Sequence, residues 1–381
     1  MEKPPIFRNL ALLMSVIALT TGGLAVTFNE APGRFPLPPA GQTYFGIQLD
    51  SEFDDVEGYA ARLGSTPALY GRYVNFPLTA EDEYLVSNEI QDLAKNRSSL
   101  MLTIEPRKDL SVVTPQSLTD LTRALTNWNR KGVPVMVRFA HEMNGSWYPW
   151  AQQPAAYIDK FRQVADAVHK SPASAMLWSP NEGGGYPFEG GPYAARGGTP
   201  DFQALDTNKD EKVNMDDDPY APYWPGDDAV DWVGLSLYHF GYAYPWGENT
   251  VPEPGKLAAK ISGMYKNPDS DQTAVPDFHA EYAAGHHKPF AISETAAFYN
   301  TSRSDGAPEL TIKEAWWNQL FDPDLQQRFP QLKLAVWFEF SKEEDQPGNP
   351  VIDWRTTADP ATGEAFAQAL PNRFAMAPLK K

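Results

Sequence analysis

"VPVMVRFAHEMNGSWYPW", residues 133–150, decides how the chain is read. It opens as a mostly apolar, β-prone run, the composition of a strand buried on both faces. His141, Glu142 and Asn144 follow, then Gly145 and the rings of Trp147, Tyr148 and Trp150. A carboxylate, an imidazole and an amide at the mouth of a buried strand, ringed by aromatics, suit chemistry better than packing.

Similar runs recur on both sides of this stretch. They span 44–50, 69–76, 99–106, 133–142, 175–181, 231–238, 289–295 and 332–340. Helical patterns lie between or after them at 55–64, 81–96, 114–132, 155–170, 254–267, 276–287, 312–329 and 360–370. Thr114-Pro115 and Asp359-Pro360 are helix starts, a capping side chain followed by proline in the first turn. Eight β-then-α units predict an α/β fold, a (β/α)8 TIM barrel with a long loop insertion after the fifth strand. An open doubly wound sheet is the alternative, but no glycine-rich phosphate turn follows the first strand.

Polar residues gather at the C-terminal strand ends: Asp50, Asn75, Glu105, Glu142, Asn181, Tyr238, Glu294 and Glu339. In a barrel these ends share the face that carries active sites. Glu142 on the fourth strand and Glu294 on the seventh would face each other across the mouth. Two such carboxylates can divide the hydrolysis of an acetal, one protonating the leaving oxygen and the other attacking. Tyr238 could hydrogen-bond Glu294, and Arg72 or Arg138 could keep the negative partner ionised.

The chain has 381 residues, 42% of them hydrophobic, enough for one large domain. A net charge of −17 argues against nucleic acid as partner. Aromatics reach 13%, and Trp and Tyr offer flat faces on which sugar rings stack. With no cysteine, disulfides and thiolate chemistry are excluded. Residues 1–28 combine Lys3 and Arg8 with an apolar run, the pattern of a signal peptide or N-terminal membrane anchor. Residues 29–42 read as a proline-rich linker and 43–375 as the catalytic domain. A secreted or periplasmic location, with or without a membrane tether through the N-terminus, follows. The oligomeric state stays open.

The strings "RFAHEMNGSWYPW", "YWPGDDAVDWVGLSLY" and "PFAISETA" resemble glycoside hydrolase family 26, over roughly residues 44–370. That family belongs to the barrel clan whose acid/base and nucleophile are glutamates on strands four and seven. The resemblance implies Glu142 as acid/base and Glu294 as nucleophile. It implies a sugar cleft shaped by His141, Asn144, Trp147, Tyr238 and Trp337, with Trp337 flooring the subsite at the cleavage point; Trp150 and Arg72 are further candidate substrate-binding residues. It also implies a β-linked polysaccharide or oligosaccharide substrate: β-1,4-mannan first, with mixed-linkage β-glucan or β-1,3-xylan as alternatives. A tethered N-terminus adds an exopolysaccharide as a further alternative. A non-catalytic carbohydrate-binding barrel is the alternative from another class.

The insertion contains "DTNKDEKVNMDD", residues 206–217. Asp206, Asn208, Asp210, Asn214 and Asp217 fall at the oxygen-ligand positions of an EF-hand-type calcium loop, with Lys212 offering its backbone carbonyl. The loop resembles the calcium loop of dockerin modules but carries Glu211 where the turn glycine is usual. A structural calcium is expected here, and the chemistry needs no cofactor. Just before it, Tyr186, Phe188 and Tyr193 lie in a glycine-rich stretch, either a cleft wall or a surface loop packed on itself. His286-His287 lack a carboxylate at a useful spacing for a metal, and Trp316-Trp317 read as barrel packing.

Overall fold

The computed structural model describes residues 35–188, 190–242, 246–344 and 348–377. The expected signal or anchor, 1–28, lies outside them. Among the described residues no helix is long and apolar enough to cross a membrane.

Eight parallel strands close into a barrel: β1 Thr43–Leu49, β2 Leu69–Asn75, β3 Ser99–Glu105, β4 Val135–Phe139, β5 Ser174–Trp178, β6 Trp232–Ser236, β7 Phe290–Thr295 and β8 Leu332–Glu339. Pairing of β8 with β1, from Tyr44↔Leu334 to Leu49↔Glu339, closes the ring. The fold is therefore the (β/α)8 barrel that the repeated β-then-α pattern predicts. Outside lie α1 Val56–Leu63, α2 Ala80–Asn96, α3 Pro115–Arg130, α4 Pro154–Val168, α5 Pro200–Leu205, α6 Lys256–Ile261, α7 Glu309–Leu320, α8 Pro323–Arg328 and α9 Pro360–Ala369.

Local chemistry explains the helix starts. The Thr114 hydroxyl accepts from the Ser117 amide, and the Asp359 carboxylate accepts from that of Thr362, each ahead of a proline at the first helical position. Three expected helices differ. Of 254–267 only Lys256–Ile261 is helical, and Lys266–Asn267 is a short strand. The stretch 312–329 breaks into α7 and α8 because Pro323 cannot continue a helical hydrogen-bond ladder. The stretch 276–287 holds a π-helical segment, His279–Ala284.

Side-chain alternation sorts every strand into an inner and an outer face. Leu69, Met101, Met136, Leu177, Trp232, Ala291, Leu334 and Val336 fill the lower barrel interior as one cluster. The alternate residues, such as Tyr70, Leu102, Val137 and Ala335, belong to the larger core beneath the helices. Phe35 joins the interior cluster, meeting Trp232 edge-on at 5.8 Å between centroids. The proline-rich linker thus packs on the barrel from Phe35 onward, because its apolar side chains cover the open floor. The β7 strand breaks strict alternation. Leu235 pairs with Ile292 while Ser236 pairs with Glu294, so Ser293 is an extra, bulged residue. A bulge re-aims the side chains beyond it, and both Ser293 and Glu294 reach inward.

Candidate active site

Glu294 sits on β7, almost wholly buried. Its Oε1 pairs with the Arg138 guanidinium and accepts a hydrogen bond from the Tyr73 hydroxyl. Its Oε2 accepts from the Tyr238 hydroxyl at 2.6 Å. Burial alone would raise this carboxyl, but the Arg138 charge and the two tyrosine hydroxyls pull it down to about 2. Tyr238 therefore stands where the sequence placed it. Of the two arginines proposed as counter-ions, Arg138 fills the role.

Arg138 projects from β4 into the barrel and has no exposed surface. Its other two nitrogens are hydrogen-bonded as well: Nε to the Ser179 hydroxyl at 3.0 Å and Nη2 to that of Ser236 at 2.7 Å. Ser179 and Ser293 share a further hydrogen bond at 2.6 Å. Side chains from β4, from β6 and β7, and from the end of β5 thus form one polar layer under Glu294.

Glu142 stands three residues beyond the end of β4, which closes at Phe139 rather than at 142. Ala140 and Glu142 both take left-handed backbone, φ 45° and 53°. Such conformations are unfavourable for residues with a Cβ and persist where the surroundings over-determine them. Here the Glu142 amide donates to the Ser179 carbonyl at 2.9 Å, clamping the turn to the end of β5. The Glu142 carboxyl accepts from the Trp147 indole at 3.1 Å and lies within reach of the Ser236 and Asn181 side chains. Burial, then the charge of Glu294, raises its pKa. Both carboxyls meet the same layer, Glu294 through Arg138 and Glu142 through Ser236, and their environments shift their pKa values in opposite directions.

The other expected cleft residues divide. Trp147 is 37% exposed and walls the site beside Glu142. His141 is buried, with Tyr73 and Tyr148 rings at 5.7 and 5.0 Å and an Nδ1 without a partner among the described residues. Burial and Arg138 hold its imidazole well below its ordinary pKa, in the neutral form. Trp150 lies one layer deeper. It stacks under Tyr148 at 4.4 Å and donates to the His141 carbonyl at 2.8 Å, so it supports the cleft from below. Asn144 is fully buried, and its amide is committed to the Asn181 backbone in both directions, at 2.9 and 2.8 Å.

Two expectations are corrected. Trp337 does not floor the cleft. It is out of phase with Leu334 and Val336, has 0% exposure and packs against Phe366 of α9 at 5.5 Å. Phe338, one residue on, takes the inner face and meets the Tyr238 ring at 5.8 Å. Arg72 also points outward, to Glu89 of α2 at 2.9 Å. Tyr73, its neighbour, turns inward to Glu294. Glu339 shares the outer phase; its carboxylate caps the Thr356 and Thr357 amides at 2.8 Å each. Sequence reading missed Tyr73 and Phe338, which counting alternate residues from Leu69 and Leu334 would have found. It also missed Ser179, Ser236 and Ser293, for which no local signal exists.

The 206–217 loop closes on itself. Asp217 accepts from the Thr207 amide at 2.6 Å and the Asn214 amide at 2.9 Å, and Asp206 from those of Asp210 and Glu211 at 3.0 and 3.1 Å. Among the described residues, no group of three acidic or histidine side chains converges to hold a metal ion. The two candidate packing rings, Trp316 and Trp317, are core residues as expected.

The closed barrel thus carries a buried carboxyl pair at one mouth, Glu142 just past the fourth strand and Glu294 near the end of the seventh. Comparison with known proteins finds relatives for it. The model for Glycosyl hydrolase family 26 matches residues 96–179, the segment holding Arg138, His141 and Glu142. The resemblance to family 26 read from the sequence motifs is thus found independently. Endoglucanase H of Acetivibrio thermocellus is 23% identical over 284 residues, 72% of this chain and 24% of that protein. Beta-1,3-xylanase TXYA of a Vibrio species is 22% identical over 347 residues, 84% of this chain and 60% of that protein. The chain thus spans a quarter to three-fifths of the length of these relatives. The GH26A structure from a Muricauda species superposes with a TM-score of 0.52 at 13% identity, covering 90% of this chain and 93% of that one. An endo-beta-1,4-mannanase double mutant from Cellulomonas fimi gives 0.51 at 15%, covering 90% and 77%. At these identities the structural likeness establishes the fold.

Proposed function

We infer that the protein is a retaining glycoside hydrolase that cuts internal β-linkages of a polysaccharide. The observation that carries this is the division of labour between two buried carboxyls above one polar layer. Burial and its acidic neighbour push the Glu142 carboxyl up, toward the proton-holding form an acid needs, while Arg138, Tyr73 and Tyr238 hold Glu294 down, toward the ionised form a nucleophile needs. In the first step Glu294 attacks the anomeric carbon while Glu142 gives its proton to the departing glycosidic oxygen. A covalent glycosyl-enzyme results. Glu142, now ionised, takes a proton from water, which displaces Glu294 and returns the hemiacetal with its original configuration. Arg138 and the two tyrosines restrain the nucleophile's orientation, and the neutral imidazole of His141 with Trp147 shapes the sugar site.

β-1,4-Mannan is the proposed substrate. The C. fimi structure, a mannanase by name, supports it at the level of the fold, while the two curated relatives, an endoglucanase and a β-1,3-xylanase by name, keep β-glucan and xylan as alternatives. The N-terminal segment is proposed to export the chain, with or without remaining as an anchor; N-terminal sequencing of the exported protein distinguishes these. Calcium in the 206–217 loop is a separate proposal. The ligand spacing supports it, and so does the left-handed backbone of Glu211, φ 68°, where calcium loops place glycine.

Reducing-sugar release on mannan, mixed-linkage glucan and β-1,3-xylan tests the reading, with product anomers followed by proton NMR. The parent is expected to release oligosaccharides of retained configuration and Glu294→Ala to be inert. Glu142→Ala should keep activity on dinitrophenyl glycosides and form glycosyl azide when azide is added. Binding of all three polymers without turnover, or inverted products, would overturn it.

A further inference from the structure

We propose that Phe188, in the loop inserted after β5, is a positioning residue for the proton donor of the reaction proposed above, acting through Trp147. Trp147 is the one neighbour from Glu142's own loop that hydrogen-bonds its carboxyl, through the indole N–H at 3.1 Å. A ring 37% exposed at the wall of an open cleft has freedom to swing. Phe188 removes it by meeting Trp147 edge-to-face, with centroids 5.1 Å apart and planes at 74°.

The loop that carries Phe188 is fastened to the loop that carries Trp147, not merely laid beside it. The Ser146 hydroxyl donates to the Phe188 carbonyl. The Tyr193 amide donates to the Ser146 carbonyl at 3.0 Å. Gln152 bridges further along, its Nε2 donating to the Pro187 carbonyl at 2.8 Å and its Oε1 accepting from the Ala195 amide at 2.9 Å. Glycines make the closeness feasible. A Cβ on Gly191 would stand 2.1 Å from the Ser146 hydroxyl, and one on Gly145 would stand 2.5 Å from the Trp147 ring. Behind Phe188 the buried Tyr186 ring, 6.1 Å away and nearly perpendicular, fixes its far side. Phe188 itself holds left-handed backbone at φ 58°, a conformation maintained against its intrinsic preference. The insertion is thus a buttress running from Tyr186 through Phe188 and Trp147 to the carboxyl of Glu142.

Acid assistance matters in proportion to how poor the leaving group is. A well-placed general acid contributes about 10²–10⁴-fold for a sugar leaving group and little for dinitrophenolate, which departs unprotonated. Phe188→Ala is therefore expected to lower kcat/KM on a β-1,4-oligosaccharide about tenfold, a fraction of that contribution, and on the matching 2,4-dinitrophenyl glycoside less than about twofold. Phe188→Tyr, which keeps the ring, should restore the oligosaccharide rate. In a Trp147→Phe background, which lacks the N–H, Phe188→Ala should add nothing further, because both changes act on one hydrogen bond.

The experiment measures both substrates for the parent, Phe188→Ala, Phe188→Tyr, Trp147→Phe and the double variant, with thermal unfolding as the fold control. Equal losses on the two substrates, or additive losses in the double variant, would overturn the proposal and leave Phe188 a packing residue. Absence of hydrolysis by the parent on every polymer is a different result, and refutes the hydrolase reading itself.

Discussion

Tyr238→Phe isolates the mechanism's central electrostatic claim. The hydroxyl donates to Glu294 Oε2 at 2.6 Å inside a buried site and has no other role in holding the nucleophile's charge. Hydrogen bonds to an ionised group are worth about 1.5–3 kcal/mol, and one pKa unit is about 1.4 kcal/mol. Losing the bond should therefore raise the Glu294 pKa by one to two units, from about 2 toward its ordinary value of 4.5. Arg138 and Tyr73 stay in place, so the smaller figure applies, about one unit. The sign follows from the chemistry. Activity needs the ionised carboxylate and is lost as pH falls through its pKa, so a raised pKa moves the loss to higher pH. The acid limb of kcat/KM, measured from pH 1.5 to 7 by initial rates in brief exposures, should move up by about one unit in Tyr238→Phe from about 2 in the parent. Tyr73→Phe should shift it similarly, and the double variant further. An acid limb unmoved in both single variants, with activity at pH 6 intact, would refute Glu294 as the group that must be ionised.

Further outcomes follow from the same geometry. Arg138→Leu should abolish hydrolysis at neutral pH, because a buried Glu294 without its counter-ion is driven toward the neutral acid; azide-insensitive inactivity in a folded variant checks this. Trp337→Ala should cost about 3–5 kcal/mol of stability by leaving a cavity under α9 while leaving KM unchanged, whereas Phe338→Ala should raise KM; urea titration and Michaelis kinetics separate the two. Lys260→Met strands the buried Glu182 carboxylate that Lys260 pairs, and should lower stability by about 3–5 kcal/mol, read by the same titration. Calcium added to the chelated protein should raise its melting temperature, and Asp206→Ala should erase the rise; no shift at millimolar calcium would mean that the loop folds by its internal hydrogen bonds alone.

Much of the barrel was legible in the chain because its strands and helices declare themselves locally. Apolar runs such as 99–106 fell within a residue or two of the observed strand, and Thr114-Pro115 placed the start of α3. The site was legible to the extent that chemistry sits at strand ends: Glu142, His141, Trp147, Arg138, Tyr238 and Glu294 all stand on the active face. Failures came at single-residue phase. Arg72 and Trp337 were taken where Tyr73 and Phe338 serve, since a step of one residue along a strand exchanges the barrel interior for the helix layer.

The sequence by itself determined the repeating β-then-α pattern, the buried character of the strands and the identity of both carboxylates, because these are properties of short segments. Tertiary structure alone decided which way they point. The bulge at Ser293 turns Glu294 inward, and it exists only as a mismatch in pairing between β6 and β7. The serine layer under Arg138 draws on strands far apart in the chain, and the seating of Phe188 on Trp147 joins residues 41 positions apart. Register and closure are set by the whole ring of strands at once, so no local stretch carries them.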